Sequence, residues 1–151
     1  MIEAGSPAPD FSLPDQDGNM VSLGDFADRG LVLAFYPLDF SPGCSDQLSV
    51  YQEVLGEIEA KGAALVGVSV DSAYCHRAFR KHLNLTMPLL ADFHPKGAMS
   101  REYGAYLEDF GIDNRSLVLV EDRTVRWSYA TPSRKEIPGA NLIFDALERA
   151  G

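Results

Sequence analysis

The chain has 151 residues, 46% of them hydrophobic and 23% charged, with a net charge of −9 at pH 7. This composition is typical of a globular protein with one core, and we expect residues 1–151 to form a single domain. The negative balance repels phosphate backbones and anionic lipid, so it argues against nucleic acid and membrane partners.

We expect a cytoplasmic protein without cofactors. No apolar run approaches the roughly 20 residues that span a bilayer, and residues 1–7 lack the basic and apolar regions of a signal peptide. The two cysteines, Cys44 and Cys75, are too few for a disulfide framework. No Cys or His pair has the spacing of a metal site, so neither a metal nor another cofactor is expected.

The first segments predict a short hairpin followed by a buried strand. Residues 8–13 read as an edge strand, residues 15–19 as a turn, and residues 20–23 as the partner strand. The uninterrupted apolar run of residues 31–35 has the length of a strand that is covered on both faces.

A long amphipathic helix is predicted next, beginning near Cys44 and ending at Gly62. Its buried stripe is formed by apolar side chains at helical spacing, namely Leu48, Tyr51, Leu55 and Ile58. Cys44 extends this stripe backwards by one turn, so its sulfur should face the core.

The second half of the chain alternates strands and helices. The predicted strands cover residues 63–70, 87–90, 116–120 and 125–130, and the predicted helices cover residues 73–83, 96–103 and 140–149. Parallel crossovers come first and a hairpin comes late, which predicts a mixed β-sheet flanked by helices. A thioredoxin-like α/β fold with an N-terminal β-hairpin extension fits this order.

Cys44 stands where a Pro-bearing loop, residues 36–43, meets the first turn of the predicted helix. Unpaired backbone N–H groups and the positive end of the helix dipole favour the ionised thiolate there, and the thiolate is the reactive form. Reduction of a peroxide by a thiol needs such a thiolate. A helix end supplies only part of the stabilisation, so we expect a cation beside the sulfur.

Arg115 is the candidate cation, because it immediately precedes a buried strand that can hold its backbone in place. Its guanidinium does not lose its proton, and its several donors can hold first the thiolate and then the peroxide oxygens. Ser41, three residues before the sulfur, is a second candidate ligand for those oxygens. Pro37 is expected to stiffen the loop and to shield the sulfur from water.

The set Pro37, Ser41, Cys44 and Arg115 resembles the active site of the peroxiredoxin family of the AhpC/TSA type. Residues 87–115 are most similar to the alkyl hydroperoxide reductase E one-cysteine group, and next to the bacterioferritin comigratory protein group. The resemblance implies an antioxidant oxidoreductase, a thiol-dependent peroxidase. Cys44 would reduce hydrogen peroxide or organic hydroperoxides and become a sulfenic acid.

The resemblance also implies partners. The reductant would be a thioredoxin-like protein or a low-molecular-weight thiol, and the enzyme would be a homodimer. Cys75 is a possible resolving cysteine, which would attack the sulfenic acid on Cys44. Alternatively, an external thiol attacks the sulfenic acid, or Cys75 is an incidental cysteine without a role in the reaction. The chain departs from the family at Ser41, where Thr is commoner, and at Gln47, where Glu is common.

Two other functions stay open at this point. Residues 41–44 resemble a thioredoxin active site whose first cysteine is serine, as in a thiol–disulfide oxidoreductase, although the missing cysteine argues against it. The second open function is that of a peroxide-sensing redox module, in which oxidation of Cys44 alters partner binding. The three histidines, His76, His82 and His94, are predicted to be surface or capping residues rather than metal ligands.

Overall fold

The computed structural model describes residues 1–133 and 135–150. The strands are β1 (Ser12–Pro14), β2 (Met20–Ser22), β3 (Gly30–Phe35), β4 (Ala63–Ser69), β5 (Leu89–Ala91), β6 (Tyr106–Leu107), β7 (Ile112–Asp113), β8 (Ser116–Glu121) and β9 (Thr124–Ala130). The helices are α1 (Pro42–Glu53), α2 (Leu55–Ala60), α3 (Ala73–Leu83), α4 (Ala98–Tyr103) and α5 (Ala140–Ala150). Within the described ranges, no helix combines the length and the apolar character needed to pass through a bilayer.

Five strands form one mixed sheet in the order β5-β4-β3-β8-β9. The β3–β4 and β4–β5 pairs are parallel, whereas β8 runs antiparallel to both β3 and β9. β3 is the central strand and is buried at all six positions, which explains its uninterrupted apolar sequence. The predicted mixed sheet flanked by helices is confirmed.

The N-terminal hairpin is also confirmed, as a separate two-stranded sheet of β1 and β2. Its first strand begins at Ser12 rather than at Ala8. The turn is held by Asp15, whose carboxylate accepts the backbone N–H groups of Asp17 and Asn19 at 2.9 and 3.0 Å. Asp side chains commonly stabilise turns in this way.

Alternate residues of β3 contact two different cores, as the twofold period of a strand requires. Val32 and Ala34 belong to a cluster that side chains of α1, α2, α3 and α5 complete. Leu31, Leu33 and Phe35 belong to a second cluster, on the side of the N-terminal segment and α4. The helices that carry the two cysteines therefore share one face of the sheet.

The prediction of a single helix from Cys44 to Gly62 is wrong in one respect, because the observed helix is broken at Val54. This residue has φ −107° and ψ 7°, and it separates α1 from α2. A β-branched valine two residues before Gly56 makes this a weak point for helical structure. The pair β6 and β7 was not predicted, since strands of two residues carry no readable periodicity.

Asp113 in β7 is an unusual core residue. It is 0% exposed, and neither carboxylate oxygen has a hydrogen-bond partner in the described part of the chain. Burial, with a further contribution from the negative charge of Asp92, raises the pKa of Asp113 to about 8. The folded protein therefore holds this carboxyl in its neutral, protonated form over much of the range in which the unfolded chain has lost the proton.

The Asp113→Asn variant is expected to remove a pH-dependent loss of stability. Between pH 5 and pH 8 unfolding releases the Asp113 proton, so the free energy of unfolding of the natural protein should fall as pH rises. The limiting slope is about 1.4 kcal/mol per pH unit. Denaturant unfolding of both proteins across this range should show that the free energy of unfolding of the variant increases relative to that of the natural protein as pH rises.

Asp145→Asn is the matched control, because Asp145 is exposed on α5. Its stability curve should run parallel to that of the natural protein. A difference between Asp113→Asn and the natural protein that is constant from pH 5 to pH 8 would contradict the assignment of a buried neutral carboxyl.

Candidate active site

Cys44 lies in the first turn of α1, directly after the loop that leaves β3. Ser41 is the N-cap with extended backbone (φ −68°, ψ 144°), and Pro42 is the first helical residue. Proline suits this position because its φ is already helical and the N–H group it lacks would have no partner there. The Cys44 side chain is 0% exposed and belongs to the core cluster on the helical face of the sheet.

Arg115 precedes β8, and the register of the sheet brings it to the sulfur. Ser116 pairs with Phe35 at the end of β3, so Arg115 lies beside the start of the loop. Its Nη1 atom donates to the Cys44 sulfur at 3.2 Å and to Oε1 of Gln47 at 2.7 Å. Arg115 is 5% exposed, so solvent weakens these contacts little. The arrangement puts a permanent positive charge against a buried sulfur.

Gln47 and Tyr51 hold the guanidinium from the α1 side. The Gln47 amide donates to the Tyr51 hydroxyl at 3.4 Å, and that hydroxyl donates to the Pro138 carbonyl at 2.7 Å. Burial raises the pKa of Tyr51 to about 12, although Gln47 and Arg115 act in the opposite direction. The phenol therefore keeps its proton at neutral pH, and a chain of neutral hydrogen-bonding groups fixes the orientation of Arg115.

A pocket of about 390 Å³ opens above this site. Its lining includes Pro37, Ser41, Gly43, Arg115 and Lys135. The Ser41 hydroxyl donates to the Leu38 carbonyl at 3.0 Å, so its proton is engaged while its oxygen stands at the pocket. Arg115 therefore both lines the pocket and contacts the Cys44 sulfur.

Cys75 lies in the first turn of α3, where Ser72 caps its backbone N–H at 3.2 Å. The helix start alone would favour a thiolate, but the surroundings reverse this effect. Burial raises the pKa of the Cys75 thiol to about 12, and the negative charges of Asp39 and Asp71 add to the increase. The thiol lies 3.8 Å from an Asp71 oxygen, to which it donates. Cys75 is a protonated thiol at neutral pH.

A buried polar cluster beneath the loop was not found from the sequence. It contains Tyr36, Asp39 and His76, of which His76 is 0% exposed. The prediction that His76 is a surface or capping residue is therefore wrong. The available signal was its position three residues before Phe79, which puts both side chains on one face of α3.

Residues 4–128 match the AhpC/TSA family. The chain belongs to this family. It is 35% identical over 148 residues to alkyl hydroperoxide reductase E of Mycobacterium tuberculosis, covering 97% of each chain. The predicted family and the predicted similarity to alkyl hydroperoxide reductase E are both confirmed, and the protein is a thiol-dependent peroxidase.

Two solved structures superpose closely on the chain. Peroxidoxin BcpB of Mycobacterium tuberculosis gives a TM-score of 0.83 at 26% identity, covering 99% of this chain and 98% of that one. AhpC of Enterococcus faecalis gives a TM-score of 0.91 at 24% identity, covering 99% of this chain and 93% of that one. The predicted thioredoxin-like fold is confirmed by these neighbours.

Gly43→Ala is expected to disable the site without unfolding the protein. A Cβ atom at this position would overlap the Nη2 atom of Arg115, so the guanidinium must shift away from the sulfur. We expect the rate constant for peroxide reduction to fall by about tenfold or more, because small misplacements of catalytic groups have effects of this size. Peroxide consumption measured against a saturating thiol donor tests this.

Gly56→Ala is the matched control, because a Cβ at this exposed position in α2 meets nothing within 4 Å. Alanine is also the better helix former, so stability should be unchanged or slightly higher. Equal rate constants for Gly43→Ala and Gly56→Ala would show that the contact between Gly43 and Arg115 does not matter for the reaction.

Proposed function

We propose that Cys44 is the peroxidatic cysteine of this thiol-dependent peroxidase. The observation that carries the proposal is the 3.2 Å hydrogen bond from the buried Arg115 guanidinium to the Cys44 sulfur. The position of Cys44 in the first turn of α1 adds the favourable end of the helix dipole. Both features stabilise the thiolate, which is the form that attacks a peroxide.

The reaction is a displacement at oxygen. The Cys44 thiolate donates an electron pair to one peroxide oxygen, so an S–O bond forms while the O–O bond breaks. The other oxygen leaves as hydroxide or alkoxide and takes up a proton to become water or an alcohol. The sulfur is oxidised to a sulfenic acid and the peroxide is reduced. Two thiols of a reductant then return the sulfenic acid to the thiol, and they yield a disulfide and water.

Each of the other predicted residues has a role in this step. Arg115 stabilises the negative charge that moves from the sulfur to the leaving oxygen. The Ser41 hydroxyl donates its own proton to the Leu38 carbonyl, so its oxygen can accept a hydrogen bond from the O–H group of the peroxide. Pro37 is buried, lines the pocket and limits the freedom of the loop. Because Cys44 is fully covered, a substrate can reach the sulfur only when side chains above it move.

We propose an external reductant, either a thioredoxin-like protein or a low-molecular-weight thiol. Cys75 is the alternative resolving residue, but its raised pKa and its hydrogen bond to Asp71 oppose attack on the sulfenic acid.

We also propose a homodimer. Leu38 and Phe40 are 39% and 49% exposed beside the site, and a second copy of the chain would cover them. We also propose a reducing compartment such as the cytoplasm, in which both free cysteines would stay reduced.

Cysteine variants test the proposal directly. Cys44→Ser should abolish peroxide consumption in the presence of dithiothreitol, because serine cannot form the sulfenic acid. Cys75→Ser should keep most of the activity, since the external thiol acts on Cys44 itself. Continuous measurement of hydrogen peroxide with each variant distinguishes the two cysteines, and undiminished turnover by Cys44→Ser would contradict the assignment.

Mass spectrometry after one equivalent of peroxide identifies the oxidised product. We expect one added oxygen on the peptide that contains Cys44. A loss of two hydrogens with a Cys44–Cys75 crosslink would instead establish Cys75 as the resolving residue and overturn the external-reductant proposal.

A further inference from the structure

The buried cluster beneath the active-site loop joins three elements of the fold. The Tyr36 hydroxyl donates to Oδ1 of Asp39 at 2.6 Å, and Nδ1 of His76 lies 2.7 Å from Oδ2 of the same carboxylate. Nε2 of His76 lies 2.9 Å from the Leu90 carbonyl oxygen. The side chains of His76 and Asp39 are both 0% exposed. The cluster thus ties the loop to the end of β3, to α3 and to β5.

The contacts determine how many protons the pair holds. A carbonyl oxygen only accepts, so Nε2 of His76 carries a hydrogen and donates to Leu90. The Tyr36 proton is engaged by Oδ1 of Asp39. With no proton between Nδ1 and Oδ2, two lone pairs would face each other at 2.7 Å. One proton must therefore be shared between His76 and Asp39.

Asp39 is also anchored through its backbone. Its N–H donates to Oδ2 of Asp71 at 2.8 Å, and the Ser69 hydroxyl donates to the same oxygen at 2.6 Å. These contacts hold Asp39 to the end of β4 as well. Asp39 is thus fixed by its side chain and by its main chain, five residues before Cys44.

The next residue of the loop shows why such an anchor is needed. Phe40 has φ 66°, a left-handed conformation that bulky L-residues rarely adopt. Its ring packs on Phe79 and on His82, at centroid distances of 5.1 and 5.7 Å. Phe79 and His76 lie on the same face of α3, so this helix holds both residues that precede Ser41.

We propose that His76 and Asp39 are positioning residues for the reaction at Cys44: they share one buried proton and thereby fix the loop that presents Ser41 to the peroxide. This inference rests on the proposed function of Cys44. Neither residue touches the substrate. Loss of the pair should misalign the peroxide-binding groups while the guanidinium of Arg115, held from α1 and β8, still supports the thiolate.

Two rate constants measured on the same proteins test this. The first is that of sulfenic acid formation with hydrogen peroxide, and the second is that of Cys44 alkylation by iodoacetamide, both followed by peptide mass spectrometry. Alkylation needs an ionised, accessible sulfur but no aligned peroxide. For His76→Phe we expect the first constant to fall by about tenfold or more and the second to fall by less than about threefold. The proposal would be overturned if the rate constant for sulfenic acid formation fell by less than threefold, or if both rate constants fell equally.

A pair of Asp39 variants tests the shared proton and does not depend on His76→Phe being folded. In Asp39→Asn the amide brings its own hydrogen for Nδ1 of His76, and its oxygen still accepts from Tyr36. Asp39→Ala makes neither bond. We expect Asp39→Asn to remain within about threefold of the natural rate constant and Asp39→Ala to fall by about tenfold or more. Equal losses in the two variants would overturn the shared-proton account.

Two controls separate this inference from the proposed function. Asp28→Asn changes an exposed carboxylate just before the start of β3, at the end of that strand opposite to the active-site loop, and should leave both rate constants unchanged. Cys44→Ser should give no sulfenic acid. A natural protein that forms no sulfenic acid would refute the proposed function, whereas normal peroxide rates in His76→Phe and Asp39→Ala would refute only the positioning role.

Discussion

In the proposed mechanism, the chemistry of this protein depends on one electrostatic contact, between the guanidinium of Arg115 and the sulfur of Cys44. The two residues are 71 positions apart in sequence and are brought to 3.2 Å by the antiparallel pairing of β3 with β8. Both are almost fully buried, so water screens their interaction little. A buried thiolate without this partner would be costly, because desolvation favours the neutral thiol. The sheet register is therefore a condition for reactivity.

Two groups of side chains support the site: one orients the guanidinium in that contact, and the other fixes the loop beside it. On one side, Gln47 and Tyr51 orient the guanidinium through a chain of hydrogen bonds that ends on a backbone carbonyl. On the other side, Asp39 and His76 hold the loop that leads into α1. The two cysteines show how strongly such surroundings act. Each lies in the first turn of a helix, but one faces a cation and the other faces carboxylates.

The sequence predicted the elements whose signals are local or periodic. The apolar run of β3, the stripe of α1 and the proline-bearing loop before Cys44 were all readable, and they led to the fold and to the family. The contact of Arg115 with Cys44 could be anticipated because the proposed chemistry demands a cation. His76 could not be assigned in the same way, since its partners Asp39 and Leu90 come from distant segments and only tertiary structure joins them. The break at Val54 depends on weak propensities that sequence patterns do not resolve.

The most direct test of the central claim is the rate constant for alkylation of Cys44 by iodoacetamide at pH 7, compared by peptide mass spectrometry between the natural protein and a folded Arg115→Gln variant. Alkylation reports the reactivity of the sulfur without an aligned peroxide. The Cys75 peptide is the internal reference, because the pKa of that thiol is raised to about 12. We expect the rate constant for Cys44 to fall by about tenfold or more when the guanidinium is lost. Equal rate constants for Cys44 in the two proteins would contradict the account.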